Sequence, residues 1–380
     1  MGHEYSAVGN PGSPAGQEGP SSRGPLPPVA TQPPGTAASS SLISDGREVE
    51  IFSTCLPSRN ESSRTYLERV TQVAQWSDAA GYRGMLVYTD NGLVDPWLVA
   101  QVVLQQTEQL CPLVAVQPVY MHPYSVAKMV ASLAFLHGRR IYLNIVAGGF
   151  RNDLLALGDN TPHDERYERA VEYTLILKAL LSGPEPITHV GRYYRVENLR
   201  MTPPVPPELA PGILISGSSE AGARAAEAIS ATRVKYPQPP GEEALQAVNG
   251  SGPAGIRVGI ITRPGADEAW EVAHRRFPED RKGKITHKLA MQVSDSKWHK
   301  QLSRLGRHPV SDANHYWLVP FENYKTFCPY LVGSYDRVGS ELAHYMSLGF
   351  NTFILDVPVS PDDLEHTAAA FEHATRLLKS

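Results

Sequence analysis

The turn Ser216-Gly217-Ser218-Ser219 combines hydroxyl side chains with a flexible glycine. It follows the apolar run Ile213–Ser216 and precedes a helical pattern over Glu220–Ile229. Free backbone N–H groups and the positive end of a helix dipole bind phosphate at such turns. A plain strand-to-helix turn with a serine N-cap explains the same residues equally well. Ala223-Arg224 stand where an NTPase loop carries Lys-Ser/Thr, and no G-x-G-x-x-G follows a strand, so neither an NTPase nor a Rossmann NAD site is supported.

A second candidate is Asn144, a polar residue inside the apolar run Ile141–Val146. A buried amide must find hydrogen-bond partners, and near the C-terminal end of a strand it would face a ligand. The pair Gly148-Gly149 follows and allows the backbone to approach that ligand closely.

The segment Thr161-Pro162-His163-Asp164 predicts the start of a helix over about 162–182, with Thr161 as N-cap and Pro162 at the first helical position. Arg166 and Tyr167 lie in its first turns. A run of charged residues at a helix start is usually solvated, and no second histidine stands four residues after His163, so a metal site is not indicated.

Two further residues could handle protons or substrate. His122 follows the third predicted strand and could donate or accept a proton, although a capping role before Pro123 explains it equally well. Tyr324 lies in a long connection with Tyr330 and Lys325, where it could contact a substrate.

These residues need a scaffold of strands and helices. Eight short apolar runs alternate with helical patterns, which predicts an α/β fold and specifically a (β/α)8 TIM barrel, with a doubly wound sheet as the main rival. The runs are apolar at successive positions, as strands buried on both faces are. They are Val49–Leu56, Gly84–Thr89, Pro112–Pro118, Ile141–Val146, Ile213–Ser216, Thr232–Tyr236, Arg257–Thr262 and Asn351–Asp356.

The chain outside these elements is uneven. Residues 1–47 are rich in Pro, Gly and Ser, which predicts a disordered extension before a domain over 48–380. Long connections at 182–212 and 277–335 exceed what a barrel needs, and we expect the second to cover the C-terminal ends of the strands, where barrel active sites lie.

Composition excludes several classes of protein. The 380 residues carry a net charge of −4, so nucleic acid is not an expected partner, and no apolar run is long enough to span a membrane. Three scattered cysteines do not suit a disulfide scaffold or a zinc site. We therefore expect a cytoplasmic protein.

The motifs together resemble the luciferase-like flavin-dependent monooxygenases, in particular the alkanesulfonate, dimethylsulfone and pyrimidine-ring monooxygenases. The similarity covers nearly all of 49–380 in order, including Ser216–Ser219, Arg257–Trp270 and Leu331–Ser334. In the first half it rests on Gly81-Tyr82-Arg83-Gly84, Asp95-Pro96-Trp97-Leu98-Val99-Ala100, Asn144-Ile145-Val146-Ala147-Gly148-Gly149 and His163-Asp164-Glu165-Arg166-Tyr167-Glu168.

The resemblance implies a barrel that binds reduced FMN at the C-terminal ends of its strands. It places Asn144 against the flavin, Tyr88 and Thr89 along the isoalloxazine, and Asp153 at an acidic position of the flavin site. The remaining flavin-binding positions surround the ribityl phosphate, and they are Arg166, Tyr167, Ser218 and Ser219.

The residues that would meet the substrate depart from the sulfonate enzymes. Arg257 matches their strand arginine, but Gly259 stands where they carry a histidine, and Leu93 falls near their active-site cysteine. Tyr324 replaces their lid arginine. A desolvated sulfonate needs several cations or donors, so the sequence favours another anionic or carbonyl-bearing substrate, with His122, Arg257 and Tyr324 as the catalytic candidates.

The expected activity is that of a two-component monooxygenase, which inserts one oxygen atom from O2 into a small organic molecule through a flavin peroxide. The expected partners are a separate NAD(P)H-dependent flavin reductase and a substrate such as an organosulfur compound or a biosynthetic intermediate, free or tethered to a carrier protein. The family implies a homodimer or homotetramer. A deazaflavin (F420)-dependent dehydrogenase and a non-catalytic flavin-binding barrel are the alternatives.

Overall fold

The protein was analysed as a computed structural model that describes residues 43–44, 47–59, 61–148, 151–239, 252–293 and 315–379. Gly149, most of the predicted N-terminal extension and residues 294–314 of the predicted lid lie outside the described residues. At the end of the extension, Ile43–Ser44 pair antiparallel with Arg47–Glu48, where the predicted domain begins. Among the described residues, no helix combines the length and apolar character needed to cross a lipid bilayer.

Eight parallel strands close into a barrel, which confirms the predicted (β/α)8 fold. Each strand pairs with the next in chain order, and β8 pairs with β1 to complete the ring. Every predicted strand is present. The strands are β1 Glu50–Thr54, β2 Gly84–Val87, β3 Cys111–Val116, β4 Tyr142–Ile145, β5 Gly212–Ser216, β6 Thr232–Lys235, β7 Ala254–Arg263 and β8 Phe350–Leu355.

Helices follow the strands and cover the outside of the barrel. Their inner faces pack on the outward side chains of the strands in two large apolar clusters. The helices are α1 Ser63–Ala79, α2 Pro96–Gln106, α3 Pro123–His137, α4 Arg151–Ala156, α5 His163–Leu181, α6 Glu220–Ala228, α7 Ala266–Arg276, α8 Arg281–Val293, α9 Val319–Glu322, α10 Tyr335–Ser347 and α11 Pro361–Lys379.

Helix α5 forms as predicted, but the assignment of Thr161 as its N-cap is wrong. The helix begins at His163, Pro162 occupies the cap position, and no side chain caps the helix. The hydroxyl of Thr161 instead donates to Asp159 at 2.5 Å. A hydrogen bond to a charged carboxylate is stronger than the one that the hydroxyl would accept as an N-cap. The Thr161 side chain therefore turns away from the helix.

Both long connections contain secondary structure. The first holds a hairpin of Ile187–Val190 and Arg195–Leu199. In the second, α8 and α9 precede an added strand, Tyr330–Ser334, which pairs in parallel with Gly259–Arg263 of β7. Strand β7 is ten residues long, so its first half closes the barrel while its second half carries this added strand.

The barrel interior is a separate small cluster, which includes Phe52, Leu86, Tyr142, Leu214 and Ile354. The rings of Phe52 and Tyr142 meet edge to face, with their centroids 5.1 Å apart. Because side chains alternate across a strand, the residues two positions further along also point inward. The apolar interior therefore ends in a layer of side chains at the C-terminal mouth.

Candidate active site

The layer above the apolar interior is polar. Each barrel strand contributes one inward position at or just beyond its C-terminal end. In most strands this position is two residues beyond an interior side chain, in β3 it is four residues beyond Leu113, and in β7 it alternates with the outward-facing residues. Active sites of this fold lie at that end of the barrel. The residues are Thr54, Tyr88, Gln117, Asn144, Ser216, Tyr236, Arg257 and Asp356.

One side of this layer is the turn 216–219. The phenol of Tyr167 donates to the Ser216 carbonyl at 3.3 Å, and the Ser219 hydroxyl caps α6 by accepting from the Gly222 N–H at 3.1 Å. A Cβ at position 217 would lie 2.5 Å from the Tyr167 hydroxyl, so only glycine fits there. The predicted serine N-cap is thus present, with Ser219 as the capping residue.

Two guanidinium groups adjoin this turn. Arg166 is 4% exposed and donates from Nη1 to the Thr161 carbonyl at 3.1 Å, while Arg233 donates from Nε to the Gly217 carbonyl at 3.2 Å. Burial raises the pKa of Tyr167, and a hydrogen bond with Ser219 and the positive charges of Arg166 and Arg233 oppose that rise. The charge of Asp164 acts in the opposite direction, so groups of both signs act on Tyr167 beside the turn.

Asn144 is joined directly to the turn. Its Oδ1 accepts a hydrogen bond from the Ser216 hydroxyl at 2.9 Å, and the residue is only 6% exposed. Within the described chain, its amide nitrogen donates to no protein acceptor. A buried amide with free N–H groups at the barrel mouth is suited to an acceptor on a ligand.

The opposite side of the layer centres on Arg257. Its guanidinium lies 5.8 Å from the centroid of the Tyr88 ring, and its side chain hydrogen-bonds to Tyr236. Burial by itself lowers the pKa of Arg257. Electrostatic interactions with Tyr236, Cys328 and Asp356 raise it by more, so the net direction is up and the group stays charged. The Nε atom is buried and has no hydrogen-bond partner among the described residues.

Asp356 faces Arg257 and anchors the insertion to the barrel. Its Oδ2 accepts from the Thr326 hydroxyl at 2.5 Å and from the Tyr330 hydroxyl at 2.7 Å. Burial raises the pKa of Tyr330, and Asp356 raises it further, so the phenol stays protonated. Strand alternation was the signal that could have identified Asp356 and Tyr236 as site residues, although their partners are distant in the chain.

The third part of the site surrounds Tyr324. This residue follows α9 with φ +56°, a left-handed conformation, and its ring lies 5.7 Å from that of Phe327. Burial raises the pKa of Tyr324; Arg59 opposes this and Asp90 and Asp153 add to it. The insertion thus brings Tyr324 towards the loops after β1, β2 and β4.

Asp153 lies in α4 and is half-buried. Burial raises the pKa of its carboxyl, Asp90 raises it further and Arg59 lowers it. Asn91 bridges this region, since it donates to the Asp153 carbonyl at 2.9 Å and accepts from the Tyr120 hydroxyl at 2.7 Å. Arg59 and Asp90 form an ion pair of 3.0 Å.

A cleft of about 250 Å³ opens between the ends of β2 and β3. Thr89 lines it with Asp90, Gln117 and Tyr120, and Leu93 lies in its wall. The remaining predicted residue, Ser218, is half-buried in the turn.

His122 makes none of the contacts described above around the turn 216–219, Arg257 and Tyr324. It is exposed at the start of α3, where its Nδ1 accepts from the Tyr124 N–H at 3.2 Å, and its ring meets Tyr194 edge to face at 5.8 Å. These are the contacts of a capping histidine. No described contact joins it to Arg257 or Tyr324.

Comparison with known proteins agrees with this geometry. The profile of the luciferase-like monooxygenases matches residues 51–352. The chain belongs to this family. That result confirms the resemblance carried by the sequence motifs, and it favours an enzyme over a non-catalytic flavin-binding barrel.

Individual relatives extend the comparison. The chain is 33% identical over 308 residues to the 4-(gamma-L-glutamylamino)butanoyl-[BtrI acyl-carrier protein] monooxygenase BtrO of Niallia circulans, covering 80% of this chain and 90% of BtrO. The riboflavin lyase RcaE, solved with modified FMN and riboflavin, has a TM-score of 0.66 at 17% identity and covers 88% of this chain and 92% of its own. An F420-dependent secondary alcohol dehydrogenase has a TM-score of 0.60 at 15% identity, with coverages of 86% and 99%.

Proposed function

We propose that this enzyme binds reduced FMN at the C-terminal mouth of the barrel, with the phosphate on the turn 216–219. The donor set fits that group, because the helix N-terminus, the hydroxyls of Ser218 and Ser219 and the Arg166 guanidinium can share the charge of a phosphate dianion. Asn144 would donate its amide N–H to the flavin. Tyr88, Thr89 and Asp153 would form the remaining walls.

The proposed reaction is a monooxygenation. When bound, reduced FMN supplies the two electrons with which O2 is divided between the oxygenated substrate and water. The chain's own residues would hold the reactants and keep water out. Arg257 would bind an anionic or carbonyl oxygen of the substrate, and Tyr324 would cover the mouth. A separate NAD(P)H-dependent reductase would supply the reduced flavin.

The proposed substrate is an acyl group held as a thioester on a carrier protein. Support comes from BtrO, which is named as a monooxygenase of an acyl-carrier-protein-bound substrate and shares 33% identity with this chain. On the Asp356 side of the mouth, Arg257 is the cation that could meet the substrate, and one guanidinium suits the carbonyl of such a group better than a sulfonate, which requires more donors.

Binding measurements with paired ligands test the flavin proposal. Titration under anaerobic conditions should give tight binding of reduced FMN and weaker binding of reduced F420. Arg166→Gln should weaken FMN binding about 10- to 100-fold, as expected for a charged hydrogen bond worth about 1.5–3 kcal/mol. Riboflavin has no phosphate, so its affinity should hardly change. Equal losses for FMN and riboflavin would place the phosphate elsewhere.

Turnover measurements test the two-component arrangement. Oxidation of NADH by the purified protein with FMN should be slow until a flavin reductase is added. Rapid NADH oxidation without a reductase would contradict the proposal.

We further propose that the chain forms a homodimer or homotetramer through α2 and α3. Leu98 of α2 and Phe135 and Leu136 of α3 are 67%, 72% and 66% exposed. Large apolar side chains grouped on adjacent helices are typical of a protein interface. Light scattering should give a multiple of the 41.5 kDa chain mass, and Phe135→Asp should reduce it to the monomer value.

A further inference from the structure

Helix α8, Arg281–Val293, is strongly basic although the whole chain has a net charge of −4. Its thirteen residues include four cations and no Asp or Glu. The cations are Arg281, Lys282, Lys284 and Lys288. A solvated helix usually mixes both signs of charge, so this composition points to an acidic partner.

One face of α8 packs on the site. A Cβ at Gly283 would lie 2.1 Å from the Asn323 carbonyl oxygen, so the helix backbone touches the end of α9 directly. His287 is 6% exposed, and its ring meets Phe321 edge to face with centroids 4.6 Å apart. The position of the helix on the insertion is therefore set by close contacts.

The other face of α8 is open. Ile285 and Leu289 lie one turn apart and are each 60% exposed. Arg281, Lys282 and Lys288 are exposed beside them, and no described carboxylate lies within ion-pair distance of these three. Lys284 differs, since it reaches Glu279 at 3.6 Å. Two apolar side chains flanked by unpaired cations form a mixed surface, which we call the basic helix face.

Helix α8 lies beside Tyr324, the residue of the insertion that we place at the mouth of the barrel. The His287 ring lies 6.4 Å from the ring of Tyr324, and the charges of Asp90 and Asp153 act on the Tyr324 phenol. A protein bound on the basic helix face would thus lie across α8 from Tyr324, which we place at the proposed substrate entrance.

We propose that the basic helix face docks an acidic acyl-carrier protein, which delivers its acyl thioester past Tyr324 on a phosphopantetheine arm. This inference rests on the proposed function. A tethered substrate requires a docking surface beside the entrance, and the exposed cations and the Ile285–Leu289 pair are complementary to a partner surface that combines carboxylates with apolar side chains. Free acids and thioesters of small size would need no such surface.

The BtrI acyl-carrier protein in its holo form is the probe, because the relative BtrO is named for it. Labelled probe should bind the full enzyme, and added salt should weaken binding because exposed charges are screened. The variant Lys282→Glu/Lys288→Glu should raise the Kd at least about tenfold, which corresponds to about 1.4 kcal/mol. Ile285→Asp should do the same.

The matched control is Arg64→Glu/Arg195→Glu, which changes the net charge equally at exposed positions far along the chain from α8. It should leave the Kd within about twofold. Failure of holo carrier protein to bind, or equal losses in the two charge variants, would overturn the docking proposal. Binding to phosphatidylglycerol vesicles is measured in parallel. If the α8 variants lose affinity for the vesicles and for the carrier protein equally, the proposal is also overturned, because the face would then bind anions in general.

Kinetics separate this proposal from the proposed function. A substrate acyl group on free pantetheine bypasses docking, so the α8 variants should oxidise it like the unmodified enzyme while losing activity on the carrier-bound form. If the α8 variants oxygenate the pantetheine-bound and the carrier-bound substrate as efficiently as the unmodified enzyme does, docking is refuted and the monooxygenase assignment is kept. Absence of flavin binding would refute the assignment itself while leaving the carrier Kd measurable.

Discussion

The ring of Tyr330 occupies the space that a side chain at position 259 would need. A Cβ on Gly259 would lie 2.4 Å from the ring, and the Tyr330 hydroxyl continues to Asp356 at 2.7 Å. The sulfonate enzymes that the sequence resembles carry a histidine at this position. In this chain, the added strand supplies an aromatic ring there instead, so the proposed substrate side of the mouth is built from different residues.

Gly259→Ala should therefore destabilise the protein by about 1–3 kcal/mol, since the interior cannot accept an added methyl group without moving Tyr330. The double variant Gly259→Ala/Tyr330→Leu should lose less than the sum of the two single changes, because the smaller side chain relieves the clash. Urea unfolding measures this. Gly183→Ala, where no atom lies within 4 Å of the added Cβ, is the control; an equal effect there would argue against the clash.

Tyr330→Phe should cost about 2 kcal/mol of unfolding free energy, because it removes a hydrogen bond to the Asp356 carboxylate within the core. Thr326→Val should have a similar effect on its own, since Thr326 donates to the same oxygen. Together they would leave Asp356 with neither donor. We expect the double variant to lose more than the sum, as measured by chemical denaturation; simple additivity would indicate that the two bonds act independently.

Asn144→Ala should weaken binding of reduced FMN about tenfold, the equivalent of one buried hydrogen bond of about 1.4 kcal/mol. Ser216→Ala should have a smaller effect, because it removes the hydroxyl that orients Asn144 but keeps the amide. Calorimetric titration of both variants with reduced FMN shows which of the two loses more affinity. A larger loss in Ser216→Ala than in Asn144→Ala would mean that Asn144 orients the turn and does not contact the flavin.

Asp159 should contribute stability that depends on pH. Burial raises the pKa of its carboxyl, but hydrogen bonds from Arg169 and Thr161 lower it more, so the net direction is down. Its stabilising effect is thus complete above the unfolded value of about 4 and is lost as the pH falls through the lower folded value.

Asp159→Asn should accordingly cost about 1–3 kcal/mol at pH 7, and the difference from the unmodified protein should shrink below pH 4. Unfolding at a series of pH values measures both. Asp159 accepts a hydrogen bond from the Thr161 N–H, and the Thr161 carbonyl accepts one from Arg166. Because Asp159 thus helps to position Arg166, FMN binding by Asp159→Asn should weaken as well. A difference that stays constant with pH would contradict the role of the carboxylate.

The sequence determined much of this protein by itself. Short runs that are apolar at successive positions predict all eight strands, because strands buried on both faces admit few polar residues. The motifs around Asn144, Arg166 and Ser219 identify the family, since their types and order reflect contacts that are local to strand ends and helix starts. Even the inward direction of Asn144 follows from alternation along β4.

Only the tertiary structure decided which distant residues meet. Asn144 and Ser216 are 72 positions apart, yet they share a hydrogen bond because β4 and β5 pair side by side. Tyr330 and Asp356 are 26 positions apart and meet because the added strand and β8 both pair with β7. Closure of the barrel places Arg257 against Tyr88. The position of α8 beside Tyr324 likewise depends on packing against α9. Local sequence encodes which side chains leave a strand inward, whereas the partner of each is set by the closure of the barrel and by the insertion folded across it.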